Sequence, residues 1–328
     1  NTNELSEIRG NEVTVIATAG NIENIGGRIK GIESVALIAE NGDIINSSST
    51  SRTIQYTDSR NSTQHDNILS VGSIESEGMT YIEGKNYISE AGRLSGATTV
   101  IDVKENITIG SLTLNGSDRS GIDSGNYMNY DSVQKVGSEV TGTENVILNA
   151  GKDLTVKGST VASDGTVQMT AENINILNEV ESVKRDKKST DNGFLSSHTV
   201  EERSYQEYAA GSTVIGNNII LDAGNDINVR ASNLIAVKEG LENTGGNISM
   251  TAGNNVNILV DTLENSYYFK EKTSGFSTNF SSGGGGLTAG VSYGTSSMEQ
   301  QRNGTTAAVS TIISEGNTVI DAGNRVRT

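Results

Sequence analysis

Apolar and polar residues alternate along this chain in very short runs. Val146 and Leu148 share one side with Ile147 on the other, and Leu154 and Val156 flank Thr155. Val167 and Met169 flank Gln168 in the same way, then Ile174 and Ile176 flank Asn175. This period of two predicts strands with one buried face. No window of ten residues carries a helical period, so helix is a minor component at most. A recurring corner separates the strands. Leu148-Asn149-Ala150-Gly151-Lys152-Asp153-Leu154 returns as Leu221-Asp222-Ala223-Gly224-Asn225-Asp226-Ile227 and as Ile320-Asp321-Ala322-Gly323-Asn324-Arg325-Val326. Looser copies begin at Met169 and Met250.

The corner sets the length of a repeat. Ala19 to Ala39 is 20 residues and Ala150 to Ala171 is 21, while Ala223 to Ala252 is 29, with the polar stretch from Glu239 to Gly246 as the excess. A turn of about 20 residues holding three short strands predicts an all-β parallel β-helix, with coils stacked about 4.8 Å apart. The predicted helix is a single continuous unit over 1–328. The corner Ala suits a place where two walls converge. The Gly or Asn after it is expected to take left-handed backbone angles.

Two long segments break the pattern, 183–211 and 267–310. Each has a charged lead-in, a Gly-Phe dipeptide (Gly193-Phe194, Gly275-Phe276) and a polar return into Ser212-Thr213-Val214-Ile215 or Ser310-Thr311-Ile312-Ile313. Weaker breaks fall at about 52–68 and 116–136. All four read as hairpin or loop excursions from one side of the solenoid. All four Phe of the chain lie in the two long ones. That makes Phe194, Tyr267, Tyr268, Phe269, Phe276 and Phe280 the candidate partner-contact residues. The competing expectation is that these rings pack back on the solenoid or on each other.

Composition sharpens the picture. Only 34% of residues are hydrophobic and 4% aromatic, with no Trp and 38 Gly, too little apolar volume for two or three globular cores. A solenoid needs less, because each coil buries a few aliphatic groups against the next. Low hydrophobicity with a net charge of −16 also fits disorder, which the regular Val/Ile/Leu alternation argues against. Absence of Pro spares the sheet ladders, and absence of Cys removes disulfides and thiolate metal sites. Forty Asp and Glu against 24 Lys and Arg disfavour nucleic acid and anionic membranes as partners. No apolar run reaches 18 residues, so no transmembrane segment is expected. The chain opens at Asn1 without Met and closes at Thr328 just after a corner, which reads as a segment of something longer.

These residues resemble a known family. Asn145-Val146-Ile147-Leu148-Asn149-Ala150-Gly151-Lys152-Asp153-Leu154-Thr155-Val156-Lys157-Gly158-Ser159 is similar to the haemagglutinin repeat of filamentous-haemagglutinin-like proteins. Gly20-Asn21-Ile22-Glu23-Asn24-Ile25-Gly26-Gly27-Arg28-Ile29 resembles a related repeat of such proteins. Lys272-Thr273-Ser274-Gly275-Phe276, with the later return Gly316-Asn317-Thr318-Val319-Ile320, matches the family's excursion pattern. The resemblance covers nearly the whole chain. It implies a right-handed parallel β-helix in a large protein exported by two-partner secretion from a Gram-negative bacterium, through an outer-membrane partner. It implies a secreted or outer-membrane-associated surface location and a host-cell or bacterial receptor. Members act as adhesins or as the stick-like delivery portions of contact-dependent growth inhibition toxins.

Catalysis is the competing class, since β-helices also carry polysaccharide lyases and hydrolases built on carboxylate clusters. Asp153, Asp222, Asp226 and Asp321 are expected at corners, as turn caps rather than on one wall. His65 and His198, the only histidines, fall in excursions and are expected as exposed loop residues. The Gly283 to Gly286 run lacks the Lys-Ser/Thr of a phosphate loop. Gly224-Asn225-Asp226 lacks the tandem nine-residue period of calcium-binding rolls. A non-enzymatic segment without catalytic, metal or cofactor-binding residues is the expectation.

Overall fold

A computed structural model describes residues 6–239, 244–283 and 286–328. The chain winds as a parallel β-helix of three walls. Along the second wall, Glu7–Ala17 pairs with Arg28–Ala39, which pairs with Met79–Gly84, then Arg93–Val103, Glu139–Ala150, Thr166–Ala171, Asn218–Ala223, Asn247–Ala252 and Thr318–Ala322, all parallel. That makes nine coils among the described residues. The third wall repeats the series from Ile22–Ile25 to Arg325–Arg327, and the first wall runs from residues 28–31 through Ser73–Ser76, 93–95, 139–142, Thr160–Ser163, Thr213–Gly216 and Asn233–Ala236 to Thr311–Ser314.

Stacking aligns like with like. Ile22, Ile44, Tyr87, Ile107, Leu154, Ile174, Ile227 and Val256 form one interior column, each buried. Leu37, Ile82, Ile101, Leu148, Met169, Leu221 and Met250 form another. The alternate positions point outward, as the period of two requires. Ala39, Ala150, Ala171, Ala223 and Ala252 fill the narrow corner between the second and third walls. Ala39 lies beside Ala17, not Ala19, so the first repeat is 22 residues long.

The glycine after that alanine has a different cause from the one its sequence suggests. Its φ is not positive; instead, a Cβ on Gly253 would overlap the carbonyl oxygen of Gly224 in the coil below, and one on Gly151 that of Lys104. At Gly151, Gly253 and Gly323 close backbone approach requires the glycine, not left-handed geometry, while at Gly224 nothing lies nearer than 3.8 Å. Left-handed residues sit at the next corner, between the third wall and the first. Gly26, Ala91, Gly158 and Ala231 have φ of 66°, 51°, 56° and 43° and close coils 1, 3, 5 and 7. The stretch from Glu239 to Gly246 begins with Lys238–Glu239 pairing with Thr244–Gly245, and residues 240–243 lie outside the described residues.

Coils 2, 4, 6 and 8 leave that same corner through hairpins. Ser49–Tyr56 returns as Ser62–Ser70, and Ile107–Asp123 from residue 111 onward returns as Asn126–Gly137. Glu179–Asn192 returns as Ser196–Ala210, and Asp261–Gly283 as Gly286–Ala308. Each hairpin begins a few residues before its polar composition marks it, at Ser49, Ser111, Glu179 and Asp261, and in the last three the opening residues still carry strand-compatible apolar groups, Leu112, Val180 and Leu263. Serines, buried at 138 and 212 and half-buried at 310, mark where the chain leaves or rejoins the coil. Ser138 Oγ donates to the carbonyl of Gly110 at 2.7 Å, and Ser212 Oγ lies 2.6 Å from that of Leu177 and 3.0 Å from that of Val156. Ser310 does the same with Leu259 at 2.7 Å. The carbonyls of Gly110, Leu177 and Leu259 also accept the backbone N–H groups of Ser138, Gly158 and Ala231, so each serine adds a second hydrogen bond where the chain diverges.

Candidate interaction surface: the hairpin sheet

Two coils rise about 9.6 Å, and a two-stranded hairpin is about 9.6 Å across. A hairpin on every second coil therefore meets its neighbour at strand spacing. The four hairpins join edge to edge into one eight-stranded antiparallel sheet. Ser62–Ser70 pairs with Ile107–Asp123 over His65 to Ser62, Asn126–Gly137 with Glu179–Asn192, and Ser196–Ala210 with Asp261–Gly283. The two outermost strands are Ser49–Tyr56 and Gly286–Ala308. Successive hairpins lengthen, so the sheet broadens along the rod. The sheet has no core of its own: among its described residues only Gly116 and Leu263 are buried.

Cross-strand polar pairs take the place of a core. On one face Arg119 meets Asp131 at 2.6 Å, Lys188 meets Glu201 at 3.0 Å and Lys270 meets Glu299 at 3.1 Å. At the seam between the first two hairpins, Arg52 pairs with Asp66 at 2.7 Å, and Asp66 also accepts the backbone N–H of Asn115 at 3.1 Å. The Arg52 hydrogen bond outweighs burial and, with those from Asn115, holds the Asp66 carboxyl down to about 2. Glu179 sits at the base of the third hairpin. Burial raises its pKa, but Lys157 at 2.8 Å and Lys135 at 3.4 Å outweigh burial and hold it below the ordinary value.

Both histidines are strand residues, not loop residues, and both bridge hairpins. His65 Nε2 lies 2.9 Å from Asp118 Oδ1 and His198 Nε2 lies 2.8 Å from Glu271 Oε1. Sequence alone hides this, because the partners are 53 and 73 residues away.

The candidate aromatic residues do not form one cluster. Tyr267 and Phe269 lie on one face of the sheet and Tyr268 on the other, beneath Arg203 at 5.4 Å. Phe276 shares the face of Tyr268 and meets the Tyr293 ring at 4.8 Å, the one ring-to-ring contact among the described residues. Phe280 is 76% exposed and Phe194, at the third hairpin's tip, is 99% exposed, so neither packs back on the coil. Gly284 and Gly285 of the glycine run lie outside the described residues.

The acidic residues also sort differently from the expectation. Asp153 and Asp226 do brace corners: Asp153 accepts from Asn173 at 2.8 Å, and Asp226 from the backbone and side chain of Asn255, both at 2.9 Å. Asp222 and Asp321 instead face outward from one wall, in a single column with Glu83 and Asp102. The column does not converge, since Thr251 separates Asp222 from Asp321 and Asn149 and Thr170 separate Asp102 from Asp222. Among the described residues no three His, Cys, Asp or Glu come together as metal ligands would. A groove of about 690 Å³ runs where the first hairpin's base meets the first wall. It holds Arg28 and Arg93, already paired with Glu75 and Glu139.

Among known proteins, the 16S rRNA endonuclease CdiA of Enterobacter cloacae subsp. cloacae is 27% identical over 202 residues. The match takes in 60% of this chain and 6% of that protein, so the chain spans a small part of the relative's length. No solved structure matches the chain. The hemagglutinin repeat matches residues 120–193 and 192–327, the stretch that builds most of the second hairpin and all of the third and fourth with their coils, and the chain belongs to that family.

Proposed function

We propose that this chain is a non-catalytic rod segment of a filamentous-haemagglutinin-like protein that is secreted to the surface of a Gram-negative bacterium, where it projects a distal module toward a target cell. The observation that carries this reading is the unbroken stack of nine coils with aligned aliphatic columns. Such a stack is stiff along its axis, and its length grows by about 4.8 Å per coil. The name of the relative, an rRNA endonuclease, favours toxin delivery over plain adhesion. Each coil also templates the next, so folding outside the cell would help draw the chain through an outer-membrane secretion partner. Val156→Asp with Val229→Asp places two unpaired charges in one interior column, at a cost of several kcal/mol each. Release of the parent protein should slow markedly in this variant. Unchanged secretion refutes the templating role.

A second reading is supported by the exposed tips. Ile122, Phe194 and Phe280 end successive hairpins and are 81%, 99% and 76% exposed, which suits contact with a host or bacterial receptor. Polar replacement of all three should abolish cell binding without loss of coil structure. Retained binding removes the tips from the reading.

A further inference from the structure

The three seams between hairpins share one plan. Their ladders pair residues 62–65 with 116–119, 127–133 with 182–188 and 196–206 with 265–275, lengthening along the rod. Just past both ends of each ladder, a backbone N–H of one hairpin is accepted by an oxygen of the other. On the base side the acceptor is a carboxylate every time. Asp66 takes the N–H of Asn115 at 3.1 Å, Glu181 that of Lys135 at 2.8 Å and Glu207 that of Glu264 at 2.7 Å. On the tip side Asn61 Oδ1 takes the N–H of Gly121 at 2.9 Å, and Asn126 Oδ1 that of Thr190 at 2.8 Å. At the last seam the carbonyl of Leu195 takes the N–H of Phe276 at 2.8 Å. All six clasps lie inside the sheet, and none involves the outermost strands Ser49–Tyr56 and Gly286–Ala308.

Clasped seams restrict how the rod can grow and shrink. A tight-corner coil meets the stack at one surface, the coil before it. A hairpin coil meets it at two, that coil and the preceding hairpin. Its excursion, from Ser49 to Ser70 in the shortest case and from Asp261 to Ala308 in the longest, has to close before the next coil can begin. Closing a longer loop costs more chain entropy, and a lone two-stranded hairpin is marginally stable in water. Each hairpin is therefore held by the seam it makes with its neighbour. Stripping a hairpin coil from the stack requires that seam to open first, whereas the tight-corner coil next to it has no such restraint. Stops fall on every second coil.

We propose that the seams are latches and that the rod folds and unfolds two coils at a time. This deepens the templating reading and rests on it: coil still templates coil, but the stroke that would draw chain outward is a coil pair with its hairpin. The test stretches single molecules of the full chain between their two ends in optical tweezers at neutral pH. Hairpins begin at Ser49, Ser111, Glu179 and Asp261, so successive releases should follow the differences between those numbers, 62, 68 and 82 residues. These are extensions of about 210–290 Å. A coil alone, the 21 residues from Ala150 to Ala171, would release about 70 Å. Glu181→Ala with Asn126→Ala removes both clasps of the middle seam, and both residues lie in hairpins. The dwell at that stop should shorten at least tenfold while the other two stops keep theirs. Glu181→Ala alone should shorten it less, and Glu181→Gln, which retains an acceptor oxygen, should leave it as it is. Releases of one coil each overturn the proposal, as does a single release of the whole chain without stops or an unchanged dwell in the double variant. Whether folding drives export is read separately, by secretion of the parent protein carrying Val156→Asp with Val229→Asp.

Discussion

Tyr87 is the one aromatic residue in an interior column otherwise made of Ile, Leu and Val. Its hydroxyl lies toward Asn46 and Ser89 but meets neither in hydrogen-bond geometry, and burial pushes its pKa up to about 12. A buried donor without an acceptor costs about 1–3 kcal/mol. Tyr87→Phe should therefore leave stability unchanged or raise it by about 1 kcal/mol, read as the urea midpoint. A loss above 1 kcal/mol would mean the hydroxyl is satisfied. Gly26 presents the opposite case. Its φ is 66°, and a Cβ there would stand 2.5 Å from Ser49 Oγ. Gly26→Val combines left-handed strain with a clash at the base of the first hairpin. It should lower stability by about 2 kcal/mol or more. Ala231→Gly trades strain at φ 43° against chain entropy and should change little.

At the scale of the hairpin, stability comes from ion pairs rather than a core, and exposed pairs contribute only about 0.2–1 kcal/mol each. Acid should therefore open the sheet before the coils. The folded-state pKa values of Asp66 and Glu179 are depressed, so their contribution is complete above the unfolded carboxylate range near 4 and is lost as pH falls through it. For Asp66 the loss is complete only below pH 2. Amide exchange over residues 49–70 and 179–210 should accelerate between pH 4 and 2 while coil amides such as those of Val146 and Leu148 stay protected. Simultaneous loss would show that the sheet and the coils are one cooperative unit. Sequence reads these elements unevenly. The inward row of Val146, Leu148, Leu154 and Val156 is legible because burial and period two are local. The choice between a tight corner and a hairpin is less so, since Ala91 and Ala231 look like any other alanine until their φ is known. The faces of Tyr267, Tyr268 and Phe269 follow once a strand is assumed. The pairing of His198 with Glu271 depends on register between hairpins 73 residues apart, which no local pattern encodes.

At the scale of the molecule, coil and sheet share one spacing, and that coincidence can be broken. Removing residues 179–210 and closing Asn178 onto Gly211 converts coil 6 from a hairpin coil into a tight-corner coil. Ser212 would still bond the carbonyls of Val156 and Leu177, so the interior columns have no reason to fail. The facing strands of the second and fourth hairpins, Asn126–Gly137 and Asp261–Gly283, would then stand three strand spacings apart, about 14 Å, against the 4.8 Å that pairing requires. Each would be left with one free edge where it now has a neighbour. Far-UV circular dichroism should fall only by the deleted strands, and the rod length from small-angle scattering should not change. Exchange should rise in Asn126–Gly137 and in 261–275, which lose Glu179–Asn192 and Ser196–Ala210 as partners. Were those strands to stay protected, the hairpins would be held by the coil walls and not by one another. The shared spacing would then be incidental to how the sheet is built.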